Sequence, residues 1–191
     1  EVLRPFNAQC IMSDGYAAYG KIIRETKPET QHASCLVHWR REVLKAADFE
    51  SQCTYIEQGS FKKAVGTYSE RLSKSDPIPI LNTVLMAVSK VFAEDKSVAR
   101  TEEETREDYL KRLKTHREQY EKPYKEKIDR LMAELATMTN LKPSGKRYKV
   151  ESADKTFYSD AVVYYFNHKE ELWRFLENPE CPLSSNEVEC T

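Results

Sequence analysis

The feature that most constrains the fold is a long stretch, residues 49–140, in which almost nothing is typical of a β-strand. In its second part apolar residues recur every three or four positions, so they share one face of a helix. The positions are Leu81, Val84, Leu85, Val88, Val91, Phe92, Leu110, Leu113, Tyr120, Tyr124, Ile128, Leu131, Leu135 and Met138. Between Glu102 and Met138 the other positions are heavily charged, which indicates a solvated opposite face. We therefore predict that residues 80–138 form helices packed on each other, with a kink or split at Pro123.

The first 48 residues follow a different order, strand, helix, strand, helix. A short apolar run over residues 8–13 predicts a buried strand that stops at Asp14, and residues 32–37 are a second candidate strand. Each run is followed by a segment with helical spacing. One helix between two strands favours parallel neighbours, so we predict that residues 10–13 and 33–37 lie side by side in one small sheet.

Residues 141–191 contain a loop, a helix and a tail. Residues 141–156 include Pro143, Ser144 and Gly145 and predict a polar loop. Residues 159–176 are apolar nearly all round a helix, which predicts that this helix is buried. The order of elements along the chain favours an α+β fold that is mostly helical.

Charge and composition exclude several classes of protein. The chain has 30 Lys and Arg against 31 Asp and Glu, a net charge of -1, whereas a stand-alone nucleic-acid binder usually has a clear basic excess. No apolar run is long enough to span a membrane. The 5 cysteines are odd in number and scattered, which favours reduced thiols in the cytoplasm over a disulfide framework. The first residues are not typical of a signal peptide, and we expect the chain to be a segment of a longer protein.

Asp14 is the first candidate for chemistry, because it follows an apolar strand and precedes a glycine. A rigid strand fixes such a carboxylate while the following loop leaves it open to a substrate. A plain Asp-Gly turn, in which the Asp side chain bonds to its own backbone, explains the same local pattern.

A second candidate is the spacing of His32, Cys35 and His38, all of which are zinc-ligand types. A structural zinc site needs a fourth ligand, which would be Cys10 or Cys53. Alternation along a strand would also turn Cys35 away from the two histidines. The alternative, which we favour, is a buried structural thiol at Cys35 and a hydrogen-bonded His38 near the core, without zinc. We expect His116 and His168 to be ordinary helix residues.

The tail carries two glutamates, Glu187 and Glu189, just after Ser184, Ser185 and Asn186. One of these polar residues is a suitable cap for a helix that begins here, which would place both glutamates in its first turn. On local pattern alone this is a solvated, capped terminus.

Three segments carry a further signal when they are taken together. They are residues 11–19, residues 35–41 and residues 161–177. In this order they resemble three blocks of the transposases of the insertion sequence 66 family: the strand and helix around the second catalytic Asp, a Cys-x-x-His block with paired basic residues, and the helix before the catalytic Glu. The side chains of the second block are Cys35, His38, Arg40 and Arg41. The charged stretch between the blocks looks like the helical insertion of that family.

The resemblance implies a partial ribonuclease H-like α/β core with a large all-α insertion and an Asp-Asp-Glu catalytic triad. Residues 1–48 would form the first part of the core, residues 49–156 the helical insertion, and residues 157–191 the helix and tail that complete the core. Asp14 matches the second Asp and Glu189 the Glu, and the first Asp is expected upstream of the chain.

The resemblance also implies an activity, a cofactor and partners. The activity is metal-dependent phosphodiester cleavage and strand transfer in an intact cytoplasmic transposase, with Mg²⁺ or Mn²⁺ held by Asp14 and Glu189. The partners are DNA at the transposon ends and a second copy of the chain in a homo-oligomer. Ser184, Ser185 and Cys190 depart from the closing motif of the family, and Cys190 replaces an arginine. We therefore expect this chain alone to be inactive and to hold no metal tightly.

A rival hypothesis comes from a different class of protein. The long charged helix would also suit a non-enzymatic helical module that mediates protein interaction or dimerisation. The two hypotheses differ at Asp14 and Glu189, because an interaction module has no reason to bring these distant carboxylates into one pocket.

Overall fold

The computed structural model describes residues 9–14, 17–47 and 77–185, and confirms a mostly helical α+β fold. The strands are β1 (Cys10–Ser13), β2 (Gln31–Ser34), β3 (Lys142–Ser144) and β4 (Arg147–Lys149). The helices are α1 (Ala17–Thr26), α2 (Leu36–Ala47), α3 (Ile78–Ser97), α4 (Arg106–His116), α5 (Lys122–Met138), α6 (Ser159–Leu172) and α7 (Arg174–Glu177). A π-helical turn (Arg117–Glu121) joins α4 to α5, and a 3₁₀ turn (Ser152–Asp154) precedes α6.

Strands β1 and β2 form a parallel pair in which Cys10 lies opposite Gln31 and Ser13 opposite Ser34. The predicted pairing of the two apolar runs is confirmed. The prediction that the second strand continues to residue 37 is wrong, because α2 already begins at Leu36. A short apolar run has no period of its own, so it suits the buried start of a helix as well as a strand.

One hydrophobic core joins the N-terminal region to the later helices. Trp39 of α2 is fully buried, and its indole Nε1 donates a hydrogen bond to the Ala161 carbonyl of α6 at 3.1 Å. Its ring lies 4.7 Å from the ring of Tyr165, measured between centroids. Helix α3 packs against both α2 and α5. The buried residues of α3 and α5 are Leu81, Val84, Ala87, Val88, Val91, Ile128, Met132 and Leu135. The predicted apolar stripe therefore faces the core in these two helices, whereas Tyr120, between α4 and α5, is 45% exposed.

The split predicted at Pro123 is confirmed, and it takes the form of the π-helical turn. The Lys122 N–H donates to the carbonyl of Arg117, five residues earlier, and α5 then begins with Pro123 in its first turn. Proline has no N–H to donate and its ring crowds the preceding turn, so a regular α-helical ladder cannot run through it. The widened turn carries two buried charged residues, Arg117 and Glu121.

The polar loop predicted over residues 141–156 contains regular structure that the pattern did not indicate. Strands β3 and β4 pair antiparallel, with Pro143 opposite Tyr148. Gly145 in the connection has a φ of 62°, a conformation that glycine adopts at little cost. Every residue of the two strands is exposed, so the alternation that marks a half-buried strand is missing.

The C-terminal segment returns to the first strand. The predicted helix over residues 159–176 is divided at Trp173, and Asn178 caps its end. Cys181 then forms a disulfide with Cys10 of β1, with Cα atoms 5.6 Å apart. The prediction of reduced thiols is wrong for Cys10 and Cys181. These residues are 171 positions apart in the sequence, and the fold brings them together. Within the described ranges, no helix has the length and apolar character needed to cross a membrane.

Candidate active site

Asp14 lies directly after β1, where backbone hydrogen bonds hold the chain on both sides. The carbonyl of Ser13 accepts a hydrogen bond from the Cys35 N–H at 2.8 Å. The carbonyl of Asp14 accepts a hydrogen bond from the Tyr164 hydroxyl of α6 at 2.7 Å. Asp14 itself is exposed. The position therefore combines a fixed backbone with a side chain that solvent and a substrate can reach.

The C-terminal tail runs to the same end of the β1–β2 sheet. The Leu36 N–H donates to the carbonyl of Leu183 at 3.0 Å. The Ser185 N–H and hydroxyl donate to the Sγ of Cys35 at 3.5 and 3.6 Å. Cys35 is thus the link between the two segments, because its own N–H bonds to the residue before Asp14.

The two tail glutamates, Glu187 and Glu189, lie outside the described residues. Glu189 follows Ser185 by four residues. An extended chain advances about 3.3–3.6 Å per residue, so four residues reach at most about 14 Å. The described tail ends at Ser185, where it contacts Cys35 beside the end of β1.

The Cys-x-x-His block begins at Cys35, directly after β2, and continues into the first turn of α2, whereas a strand was predicted over most of it. Cys35 is a free thiol with no exposed surface, which confirms the prediction of a buried structural cysteine. His38 lies in the first turn of α2, so the strand alternation assumed for it does not apply. The Nδ1 of its ring is buried without a hydrogen-bond partner among the described residues, and the predicted hydrogen bond of His38 stays a prediction. Arg40 is half-buried and Arg41 exposed on the same helix.

The candidate zinc ligands do not assemble in the described part of the chain. There, no three His, Cys, Asp or Glu side chains are grouped as they would be to hold a metal ion. Cys10, one of the two candidates for a fourth ligand, is bonded to Cys181, and Cys53 lies outside the described residues. A hard ion such as Mg²⁺ prefers oxygen donors, a class to which the Asp14 carboxylate belongs.

A group of side chains that the sequence did not single out lies beside Asp14. The Nε2 of His32 is hydrogen-bonded to the Ser13 hydroxyl at 2.8 Å. The ring of His168 lies 4.7 Å from the ring of Tyr164, which in turn bonds to Asp14. Tyr164 and His168 are four residues apart on α6, a spacing that places them on one face and could have linked them in the sequence.

Burial controls the protonation of this group. It lowers the pKa of His32 and of His168, and the nearby Glu171 carboxylate opposes the shift in both. Burial also raises the pKa of Tyr164, and the Asp14 carboxylate adds to the effect. Both imidazoles are therefore neutral at neutral pH and the phenol keeps its proton, so Tyr164 stays a hydrogen-bond donor to the Asp14 backbone. His168 lies near the end of α6, where it was expected, and its ring also contacts that of Tyr164.

A comparison with protein families shows which family the chain belongs to. A family model described as "Transposase IS66 family" matches residues 1–191. The chain belongs to the IS66 transposase family. No curated protein and no solved structure matches it. As an IS66-family transposase sequence, the chain has a transposase-related function, with DNA as its partner and divalent metal ions used by the family in general. The Asp-bearing strand end and the returning tail are then the parts of this transposase sequence to consider for chemistry.

Proposed function

We propose that this chain is the part of a DNA transposase catalytic domain in which Asp14 and Glu189 hold divalent metal at the end of β1. The observation that carries the proposal is the return of the tail to this strand end through Cys35, which bonds to Ser13 on one side and to Ser185 on the other. In this proposal the β1–β2 sheet, α1, α2 and α6 belong to a ribonuclease H-like core of a cytoplasmic protein. Residues 49–156 are its helical insertion.

The residues of the chain act mainly by positioning. Tyr164 and Cys35 fix the backbone around Asp14, so that its carboxylate presents oxygen ligands without rearrangement. Glu189, in the tail, would supply further oxygen ligands. A bound pair of Mg²⁺ ions would stabilise the attacking and leaving oxygens of an in-line displacement at a DNA phosphodiester.

The full triad belongs to the intact protein in this proposal, with the first Asp on an earlier strand. Two carboxylates leave part of the metal cage open, and Cys190 in place of arginine removes a contact to phosphate. We therefore expect the 191-residue chain alone not to cleave or join DNA with Mg²⁺ or Mn²⁺.

The proposal is tested by strand transfer with the intact transposase. Asp14→Ala and Glu189→Ala should each abolish strand transfer while folding and DNA binding stay nearly unchanged, because both side chains act on the metal. Glu187→Ala is the matched control, since it removes a carboxylate two residues away and should keep activity. Activity in the Glu189→Ala protein with loss in Glu187→Ala would shift the C-terminal register by two residues. Activity in both Asp14→Ala and Glu189→Ala would remove the mechanism from these positions.

The alternative of a helical interaction module is not favoured by the packing. The apolar faces of α4 and α5 are buried within this chain, at Leu113, Ile128, Met132 and Leu135. A dimerising arm would need such a face to be open to a partner. Where it is described, the long helical segment uses its apolar residues for its own core.

A further inference from the structure

Strands β3 and β4 and the turn between them, residues 142–149, form a basic hairpin. Its eight residues contain Lys142, Lys146, Arg147 and Lys149 and no acidic residue, although the whole chain has a net charge of -1. All of them are exposed. Positive and negative charges nearly cancel over the whole chain. Four positive side chains on one short, exposed element still create a local positive potential.

Strand pairing sorts the side chains of the hairpin onto two faces. Lys142 lies opposite Lys149, and Ser144 opposite Arg147. Alternate residues of a strand point to opposite faces, so Lys142, Arg147 and Lys149 share a face that excludes Tyr148. Three positive side chains are therefore presented together, of which Lys149 forms a salt bridge with Glu151 at 2.7 Å.

The hairpin is fastened to α6 through Tyr148. The Tyr148 N–H donates to the Asn167 Oδ1 at 2.8 Å, and the Asn167 Nδ2 donates back to the Tyr148 carbonyl at 3.0 Å. The rings of Tyr148 and Phe166 lie 5.5 Å apart. Two backbone bonds and a ring contact give the charged face a defined place on the molecule.

That place is beside Asp14. Asn167 is three residues from Tyr164, the donor to the Asp14 carbonyl, and residues at this spacing share a face of the helix. Three residues advance about 4.5 Å along a helix axis, so the hairpin is attached less than one turn from the contact with Asp14. The Arg147 charge also reaches His168 on the same face, where it lowers the pKa of the imidazole after the larger effects of burial and Glu171.

We propose that the basic hairpin binds the phosphate backbone of duplex DNA next to Asp14, and so positions the strand that enters the candidate active site. This inference rests on the proposed function for the identity of the partner. Long exposed Lys and Arg side chains suit phosphate groups, which supply most of the sequence-independent affinity of DNA-binding proteins. A hairpin fixed to α6 would hold the DNA in register with Asp14, as phosphate contacts commonly do.

The experiment measures binding of the full 191-residue chain to a short fluorescein-labelled DNA duplex by anisotropy, over a series of salt concentrations. The test variant is Lys142→Gln, Lys146→Gln and Arg147→Gln together. The matched control is Lys90→Gln, Lys96→Gln and Lys127→Gln, which removes three exposed charges from α3 and α5. Both variants change the net charge equally and leave Tyr148 and Asn167 in place, and circular dichroism checks that both fold.

The hairpin variant should lose about tenfold or more in affinity at low salt, and the slope of log K against log salt should fall by about two to three, whereas the control should stay near wild type. Equal losses in the two variants, no duplex binding by the wild-type chain, or tighter binding to single-stranded RNA than to the duplex would each overturn the inference. Asp14→Asn should bind DNA like wild type. Binding and strand transfer therefore fail separately, and a negative result here leaves the catalytic proposal to its own test.

Discussion

At the scale of single residues, the π-helical turn places two ionisable side chains, Arg117 and Glu121, inside the protein. Arg117 is 2% exposed; its guanidinium donates to Asp95 at 2.7 Å and to the carbonyls of Phe175 and Cys181 at 3.0 and 3.2 Å. Glu121 is fully buried, and neither carboxyl oxygen has a hydrogen-bond partner among the described residues. Arg117 thus ties the insertion to the C-terminal segment, while Glu121 is accommodated only in its neutral form.

Glu121 leads to a prediction about pH. Burial raises its pKa to about 8, and the negative charge of Asp95 adds to the shift. The folded protein therefore holds a proton that the unfolded chain releases near its ordinary pKa of 4.5. The sign follows from proton linkage: stability is greatest below the unfolded pKa and is lost as pH rises toward 8.

In Glu121→Gln this dependence should disappear, because the amide matches the size of the carboxyl and cannot ionise. Urea denaturation at a series of pH values between 5 and 8 measures it, at roughly 1.4 kcal/mol for each pH unit over which the proton is held. Glu118→Gln, an exposed carboxyl in the same turn, should keep the wild-type slope. Parallel curves for wild type and Glu121→Gln would show that Glu121 ionises freely in the folded state.

At the scale of elements, segments with a periodic apolar pattern were predicted correctly, whereas short or unpatterned segments were not. The helices over residues 78–138 and the break at Pro123 followed from apolar spacing and proline chemistry. The end of β2 could not be predicted, because the apolar residues Cys35 and Leu36 suit a buried strand as well as a buried helix. Contacts with Ser13 and Leu183 decide between the two. The basic hairpin was missed because its stability comes from Asn167 and Phe166, far along the chain.

Helix α3 provides a test of the insertion as a packing partner of the core. Val88 is fully buried and Met86, two residues away on the same helix, is 69% exposed. Val88→Asp should unfold the chain or cost several kcal/mol, since it buries an unpaired charge, whereas Met86→Asp should change stability by less than about 0.5 kcal/mol. Urea denaturation followed by circular dichroism measures both.

Equal stability of the two aspartate variants would contradict this packing. The same would follow if a chain lacking residues 80–138 stayed soluble and folded, because α2 would then lose its contact with α3 and leave apolar surface exposed.

At the scale of the whole molecule, the fold brings the two ends of the described chain together. Cys10 bonds to Cys181, Leu183 meets Leu36, and Ser185 meets Cys35. The resemblance in the sequence predicts that Asp14 and the closing segment belong to one site, and the described part of the tail, to Ser185, runs toward the end of β1. It could not supply the contacts that guide the tail there, because the family pattern does not say that Cys35 bonds to both Ser13 and Ser185.

The disulfide closes almost the entire chain and should stabilise it by restricting the unfolded state. Reduction with dithiothreitol should lower the free energy of unfolding by about 2–4 kcal/mol, as is typical of disulfides that close long loops. A Cys10→Ser, Cys181→Ser double variant should be less stable by a similar amount and should not respond to the reductant. If wild type showed no response, or the double variant responded equally, the stabilising bond would lie elsewhere.

Whether Asp14 and Glu189 meet at one metal site is tested most directly by metal-directed cleavage of the backbone. In the intact transposase Mg²⁺ is replaced by Fe²⁺, ascorbate generates hydroxyl radicals at the bound ion, and the cut positions are mapped by mass spectrometry. We expect cuts around both Asp14 and Glu189, with both groups of cuts lost in Asp14→Asn and both kept in Glu187→Gln. Cuts near Glu189 that persist in Asp14→Asn, or cuts confined to one of the two segments, would show that these carboxylates do not share a metal.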